Sequence, residues 1–210
     1  LVSRDYFVRF WMDNWFLVVI FLGTVGFVTT IFIRNWSILT YLEREDWPAL
    51  AEHLEKQIFY RKKTGKRYVR LLFESLVLLG DFATIDKLSS FLRTENPKRY
   101  RDMSRGIAGA TVLAGNYRQT RVFSTEFLER KDLSVSKAHW LRFYRGLACS
   151  LDEDPSGAVQ DFFPLAGEAP EPLVAVLSTF LCDAQLRKHG DGIFTVPRDT
   201  IEDVISRRKQ

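Results

Sequence analysis

The sequence KRYVRLLFESLVLLGDFATIDKLSSFLRTENP, residues 66–97, decides the fold of this chain. Apolar side chains recur every three or four positions on both sides of a central Gly80-Asp81-Phe82 triplet, which is the period of an amphipathic helix. Gly80 can adopt the left-handed conformation that ends a helix, and Asp81 can cap the next one. The stretch predicts a helix, a tight turn and an antiparallel helix ended by Pro97. Such a hairpin cannot bury its apolar faces alone, so it predicts similar neighbours.

The same turn recurs along the chain. Trp47, Phe82 and Tyr117 each follow a capping Asp or Asn, and each stands 35 residues after the one before. A period of about 34 residues built from two helices is the signature of tetratricopeptide-type repeats. The Gly-Asp-Phe and Gly-Asn-Tyr turns and Pro97 stand where that family has its Gly-Asp-Tyr turn and terminal proline. In these residues the chain resembles the tetratricopeptide-repeat family.

A third unit matches the repeat less closely. It opens at Trp140, has Ala158 at the small position of its second helix, closes at Pro170, and contains a longer, acidic turn at residues 152–155. The resemblance covers residues 46–188. It implies an α-solenoid of helical hairpins whose first helices line a concave groove, in proteins that serve as adaptors or scaffolds. An irregular helical bundle is the alternative.

An uncharged run at residues 15–33, WFLVVIFLGTVGFVTTIFI, precedes the repeats. As a helix it would span about 28 Å, close to the hydrocarbon thickness of a bilayer. We predict an uncleaved single-pass anchor, with a buried core helix and a cleaved signal peptide as alternatives. Two arginines on each side leave the orientation open. The aromatic residues that flank the run, as interfacial anchors do, are Trp11, Trp15, Trp36 and Tyr41.

These observations together predict an all-α protein in three parts. Residues 1–45 form the membrane anchor helix and its juxtamembrane extension, residues 46–188 the tetratricopeptide-like helical repeats, and residues 189–210 a C-terminal loop and a capping helix. No stretch rich in Gly, Ser or Pro separates the first two parts, so we expect the anchor helix to continue towards the repeats without a flexible tether.

Charge is unevenly distributed along a chain whose net charge is +4. Residues 56–70 carry seven basic side chains and no acid, whereas residues 146–185 carry acids and no Lys or Arg. The basic run predicts contact with anionic lipid or an acidic partner, with a solvated loop and helix end as the alternative. Its complementarity to the acidic run predicts a homo-oligomer joined head to tail, and the alternative is a different partner at each end. We define the basic patch as Lys56, Arg61, Lys62, Lys63 and Lys66, and the acidic patch as Asp152, Glu153, Asp154 and Asp161.

The register of the repeat family implies a partner-binding surface on the first helices. Three successive helices would turn arginines towards one channel, with apolar side chains between them. Arginine binds carboxylates through two parallel hydrogen bonds, so we predict that the channel holds an acidic peptide or helix of another protein. Pairing of the arginines with neighbouring acids, without a ligand, is the alternative. The residues implied are Arg67, Arg70, Leu78, Arg105, Val112 and Arg145.

No catalytic or metal-binding pattern is evident. The three histidines lack metal-ligand spacing, and a Ser-x-x-Lys match beginning at Ser134 is better explained by a helix cap. Two cysteines make no disulfide framework. A pI of about 9.1 would suit nucleic acid, but the acidic second half and the anchor argue against it. We therefore predict no enzyme, no cofactor, no metal and no nucleic-acid partner.

The expected function is a membrane-anchored scaffold or adaptor that binds other proteins in a membrane-associated assembly. In layout the chain resembles periplasmic assembly factors of bacteria, including the translocon-associated chaperone and the collar proteins of spirochaete flagellar motors. That resemblance implies a bacterial inner membrane, with the repeats in the periplasm. The alternatives are a catalytic or non-catalytic subunit of a membrane enzyme complex, a periplasmic chaperone at a translocon, and an adaptor that faces the cytosol on an organelle membrane.

Overall fold

The computed structural model describes residues 14–130 and 132–189, which form helices and contain no strand. The predicted all-α class is confirmed. Contacts divide the chain into two compact units that meet between His53 and Leu54. The predicted capping helix within residues 189–210 lies outside the described residues, apart from His189. The first helices in chain order are α1 (Trp15–Glu43), α2 (Trp47–Glu55), a π-helical turn (Lys56–Tyr60), α3 (Lys66–Leu79) and α4 (Phe82–Glu95).

Six further helices complete the described part. The short α5 stands between two hairpins, and the remaining helices follow one another through turns. They are α5 (Pro97–Asp102), α6 (Ser104–Leu113), α7 (Tyr117–Leu128), α8 (Val135–Leu151), α9 (Pro155–Glu168) and α10 (Pro172–His189).

Helix α1 contains the predicted apolar run. Its segment Trp15–Ile33 has a mean hydropathy of 2.6, and none of the segment is buried. By length and composition this helix can cross a membrane, and it continues without a break to Glu43. The hydroxyls of Thr24 and Thr30 donate to backbone carbonyl oxygens one turn earlier, both at 2.8 Å. These two hydroxyls are therefore satisfied inside the helix, as an apolar environment requires.

The turn after α1 begins the next helix with the expected cap. The Asp46 carboxylate accepts a hydrogen bond from the amide of Ala49 at 3.1 Å, which satisfies one of the free amides at the start of α2. The helix that follows this cap is a regular α-helix only to Glu55. A π-helical turn, Lys56–Tyr60, follows it and ends before the basic loop.

The hairpin of α3 and α4 has the predicted chemistry. Gly80 has a φ of 68° and ends α3 in the left-handed conformation. The Asp81 carboxylate accepts hydrogen bonds from the Thr84 hydroxyl at 2.7 Å and the Thr84 amide at 3.0 Å, and these bonds lower the pKa of Asp81. Leu76 of α3 and Leu88 of α4 are buried, as the apolar periodicity predicts.

Three details differ from the sequence-based expectation. Phe82 and Tyr117, which the stacking of similar hairpins would bury, are half-buried. Pro97 opens the short helix α5, and Asn96 caps it by accepting a hydrogen bond from the Arg99 amide at 3.1 Å. The helix expected to open at Trp140 begins five residues earlier, at Val135.

Helices α6 to α10 share a core. Each packs on its neighbours in sequence, and α8 also packs on α6 and on α10. Phe143 and Phe162 lie in this core with their ring centroids 5.8 Å apart. Gly146 permits the close approach of α8 to α9, because a Cβ atom there would lie 2.9 Å from a ring carbon of Phe162.

Candidate functional site

A cavity of about 500 Å³ lies among α3, α5, α6 and the start of α8, and we call it the first-helix groove. The helices bring together residues that are up to 71 positions apart in the sequence. Side chains of α3 form one wall, and those of α5, α6 and α8 form the other. The lining residues are Lys66, Val69, Arg70, Phe73, Glu74, Arg99, Asp102, Met103, Arg105, Gly106, Ser134, Ser136 and Lys137.

The floor of the groove is apolar. Val69 and Phe73 of α3 are buried, and Met103 lies between α5 and α6. A Cβ atom at Gly106 would lie 3.0 Å from the Phe73 ring, so the absence of a side chain there lets the ring lie against α6. An extended or helical segment in the groove would therefore find apolar surface beneath it as well as charges at its sides.

The walls carry more positive than negative charge. Five basic residues and two carboxylates line the groove. Glu74 pairs with Arg70 at 2.7 Å. Asp102 pairs with Arg99 at 3.0 Å and with Lys137 at 3.5 Å. Because five cations face two carboxylates, the groove presents an excess of three positive charges.

Arg105 is held by an aromatic ring. Its guanidinium lies over Trp140, 5.2 Å from the ring centroid, and it forms no ion pair among the described residues. Glu171, just before α10, accepts hydrogen bonds from the Ser136 hydroxyl and the Trp140 indole N–H. The Ser136 hydrogen bond is the main cause that lowers the pKa of Glu171. Trp140 is thus fixed by Glu171 while its ring face supports Arg105.

The structure brings together only part of the predicted partner-binding set. Arg70 and Arg105 line the groove. Arg67 is exposed on α3, and Leu78 is 64% exposed at the end of that helix, but neither lines the cavity. Val112 is 8% exposed and belongs to the core, because it lies six residues and about 240° around α6 from Gly106.

Arg145 also falls outside the groove. Its guanidinium donates two hydrogen bonds to the Asp161 carboxylate, at 2.8 and 2.6 Å, in a different cleft. Arg145 therefore pairs with a neighbouring acid, as the alternative interpretation of these arginines predicted. Lys66, a member of the basic patch, and Lys137 also line the groove, although the repeat register implies neither. The contact of Arg105 with Trp140 was likewise not predicted from the sequence.

The two charged patches differ in how much of their charge is paired. The basic patch is exposed throughout, and Lys62 pairs with Glu95 at 3.0 Å. In the acidic patch, Asp152 and Asp154 both pair with Arg121, and Asp161 pairs with Arg145. Glu153 is the member of that patch with no ion pair in the described part of the chain. The predicted head-to-tail contact therefore has a weaker acidic surface than the sequence suggested.

Within the described ranges, no group of three His, Cys, Asp or Glu side chains could hold a metal ion. Cys149 and Cys182 are free thiols, and both are buried. Burial is the main cause that raises the pKa of each thiol. Neither cysteine therefore resembles a reactive thiolate, which requires an exposed and electropositive setting.

Comparison with known proteins identifies the family. A family model described as "Uncharacterised Treponema protein" matches residues 84–193, just over half of the chain, and the chain belongs to this family. An "Uncharacterized protein" of Treponema pallidum (strain Nichols) is 34% identical over 163 residues, which cover 78% of this chain and 51% of the relative. The chain thus spans about half the length of that relative.

No solved structure matches the chain. The comparisons show the Treponema family, and they do not show a tetratricopeptide-repeat or flagellar-collar family. The all-helical class and the apolar N-terminal helix are confirmed.

Proposed function

We propose that this chain is a membrane-anchored scaffold or adaptor that binds another protein through the first-helix groove. The main support for the proposal is the composition of the groove, in which five cations and two carboxylates surround an apolar floor. A concave cationic surface raises the association rate of an acidic segment, and the floor adds apolar contact. The proposed ligand is an acidic peptide or helix of the partner.

The arrangement of helices supports a tetratricopeptide-like solenoid as part of this proposal. Gly80 and Gly115 end their helices with φ values of 68° and 75°, at the equivalent positions of two hairpins. Contacts from α6 to α8 and from α8 to α10 repeat down the stack, which is how successive repeats bury their faces. Such repeats serve as binding modules, so the proposed protein has no enzymatic activity, no cofactor and no nucleic-acid partner.

Helix α1 is the proposed membrane anchor. Its apolar segment is long enough to span a bilayer, and its side chains are exposed in the described structure. The proposed location is the inner membrane of a bacterium with the repeats in the periplasm, in an envelope assembly such as a flagellar collar. Its family, described from Treponema, agrees with a spirochaete envelope.

Alkaline carbonate extraction tests the anchor. The full-length protein should stay in the membrane pellet, and N-terminal sequencing of the isolated protein should show that residues 15–33 are retained. Loss of these residues would instead identify a signal sequence. Protease protection in sealed vesicles then gives the orientation, with digestion of the repeats from the periplasmic side as the expected result.

The groove is tested by charge reversal. We expect Arg70→Glu/Arg105→Glu to weaken recovery of the partner by about tenfold or more, equal to ~1.4 kcal/mol or more of binding free energy. The reversal replaces two attractive contacts with repulsive ones. Affinity purification from crosslinked membranes measures the recovery, and circular dichroism measures helical content.

The matched control is Arg67→Glu/Arg118→Glu, which makes the same change in charge at two exposed arginines outside the groove. Wild type and control should recover the same partner in equal amounts, and recovery should fall as salt rises. If the folded Arg70→Glu/Arg105→Glu protein recovers as much partner as the control, the groove is not the binding site.

A further inference from the structure

A second cleft lies between α7, α8 and α9, with a volume of about 620 Å³. It uses residues of α8 that do not line the first-helix groove. Three arginines and two aspartates line it, together with a Thr hydroxyl and a Gln amide, so its wall is polar. The charged and hydrogen-bonding residues are Arg121, Arg142, Arg145, Asp154, Asp161, Thr125 and Gln160.

One arginine of the cleft forms an ion pair with a buried acid. Asp161 is only 4% exposed, and Arg145 holds both of its oxygens, with Nε at 2.8 Å and Nη2 at 2.6 Å. The remaining terminal nitrogen of Arg145 donates to the Thr125 hydroxyl at 3.1 Å. Because that hydroxyl oxygen acts as an acceptor, the Thr125 hydrogen is left to donate elsewhere.

A second arginine of the cleft also forms ion pairs with acids. Arg121 donates to Asp152 at 3.3 Å and to Asp154 at 3.1 Å. The other oxygen of Asp154 caps α9 by accepting a hydrogen bond from the Gly157 amide at 2.9 Å. Both aspartates that line the cleft are therefore neutralised by an arginine and used in hydrogen bonds.

Arg142 is the third arginine, and its side chain has no ion pair or hydrogen bond with another described residue. It is half-buried and lies one helical turn before Arg145. Arg121 pairs with Asp152 and Asp154, and Arg145 pairs with Asp161, so Arg142 is the one lining arginine without an acid partner in the described ranges. An arginine that is half-buried and whose guanidinium has no partner favours a ligand that satisfies its planar fork of donors.

We propose that this cleft binds a single carboxylate, which accepts hydrogen bonds from Arg142 and Thr125. A carboxylate matches both the planar fork of Arg142 and its single charge. A doubly charged phosphate would bring a second negative charge close to Asp154 and Asp161, with Arg142 as the one unpaired arginine of the cleft, so it should bind more weakly. The carboxylate belongs either to a small organic acid or to an acidic side chain that a partner inserts.

The test measures binding of probes to the full-length protein in nonionic detergent, at constant ionic strength. The probes are propionate, inorganic phosphate, and the blocked tripeptides acetyl-Ala-Glu-Ala-amide and acetyl-Ala-Gln-Ala-amide. Binding is followed through the NMR signals of the arginine Nε–H groups and through the melting temperature. We expect saturable binding of propionate on the order of millimolar, and phosphate binding about tenfold weaker. Tighter binding of the Glu tripeptide than of propionate would identify an inserted side chain as the source, and the reverse order a small acid.

Arg142→Gln should weaken carboxylate binding by at least about tenfold, or ~1.4 kcal/mol. The control Arg118→Gln makes the same change on α7 outside the cleft and should bind as wild type. Arg142→Lys keeps the charge without the planar fork and should show intermediate affinity, which tests the site if Arg142→Gln does not fold. Equal affinity in wild type and both Arg142 variants, phosphate binding as tight as propionate binding, or no saturable binding would overturn the proposal.

Discussion

Replacing Arg145 with Met should lower the free energy of unfolding by about 3–5 kcal/mol, because it leaves a buried carboxylate without its partner. Asp161 is 4% exposed, and Arg145 supplies both of its ionic hydrogen bonds. Met fills much of the volume of the arginine stem, so the cost comes mainly from the uncompensated charge. Urea unfolding of the full-length protein in nonionic detergent, followed by circular dichroism, measures the change.

Two further variants make this expectation specific. Arg142→Met changes the same residue type one turn away, where no described ion pair is lost, and should change stability by less than about 0.5 kcal/mol. The double variant Arg145→Met/Asp161→Leu removes both charges and should recover most of the lost stability. If the double variant is as unstable as Arg145→Met alone, packing and not charge accounts for the loss.

Phe162→Ala should be about as damaging, with an expected cost of about 3–5 kcal/mol. The ring is fully buried, packs against Phe143, and fills the space that Gly146 leaves open on α8. Truncation would remove this contact and leave a cavity where α8 and α9 approach closely. The same urea titration measures the effect.

Phe180 provides the matched control, since it is a phenylalanine of the same unit that is 67% exposed. Phe180→Ala should change the free energy of unfolding by less than about 0.5 kcal/mol. Equal losses for the two variants would contradict the burial of Phe162 in a tightly packed core.

Local chemistry explains why the first hairpin could be predicted. The left-handed Gly80 and the capping Asp81 act over two or three residues, and a short window of sequence contains all the atoms involved. Pro97 shows the limit of such signals. A proline ends a helix or occupies the first position of another, and the Asn96 cap selects the second outcome here.

Part of the groove could be predicted, because the repeat period places equivalent residues of successive first helices side by side. Arg70 and Arg105 stand 35 residues apart and come together on successive first helices. One further period leads to Trp140, whose ring supports Arg105, and not to Arg145. Arg145 lies five residues, or about 140° around α8, beyond Trp140 and pairs with Asp161. The pairing of a particular arginine with a particular acid depends on the distances between helices, and these distances cannot be read from the order of charges along the chain.

The alkylation rates of the two buried cysteines report how the helices around them open. Burial raises the pKa of Cys182 to about 12, and Cys149 is shielded on the neighbouring helix α8. Since only the thiolate attacks an alkylating reagent, labelling must wait until the chain exposes each sulfur. Iodoacetamide would modify Cys182 first if α10 detaches alone, and both sulfurs at one rate if α8 and α10 come apart as a cooperative block.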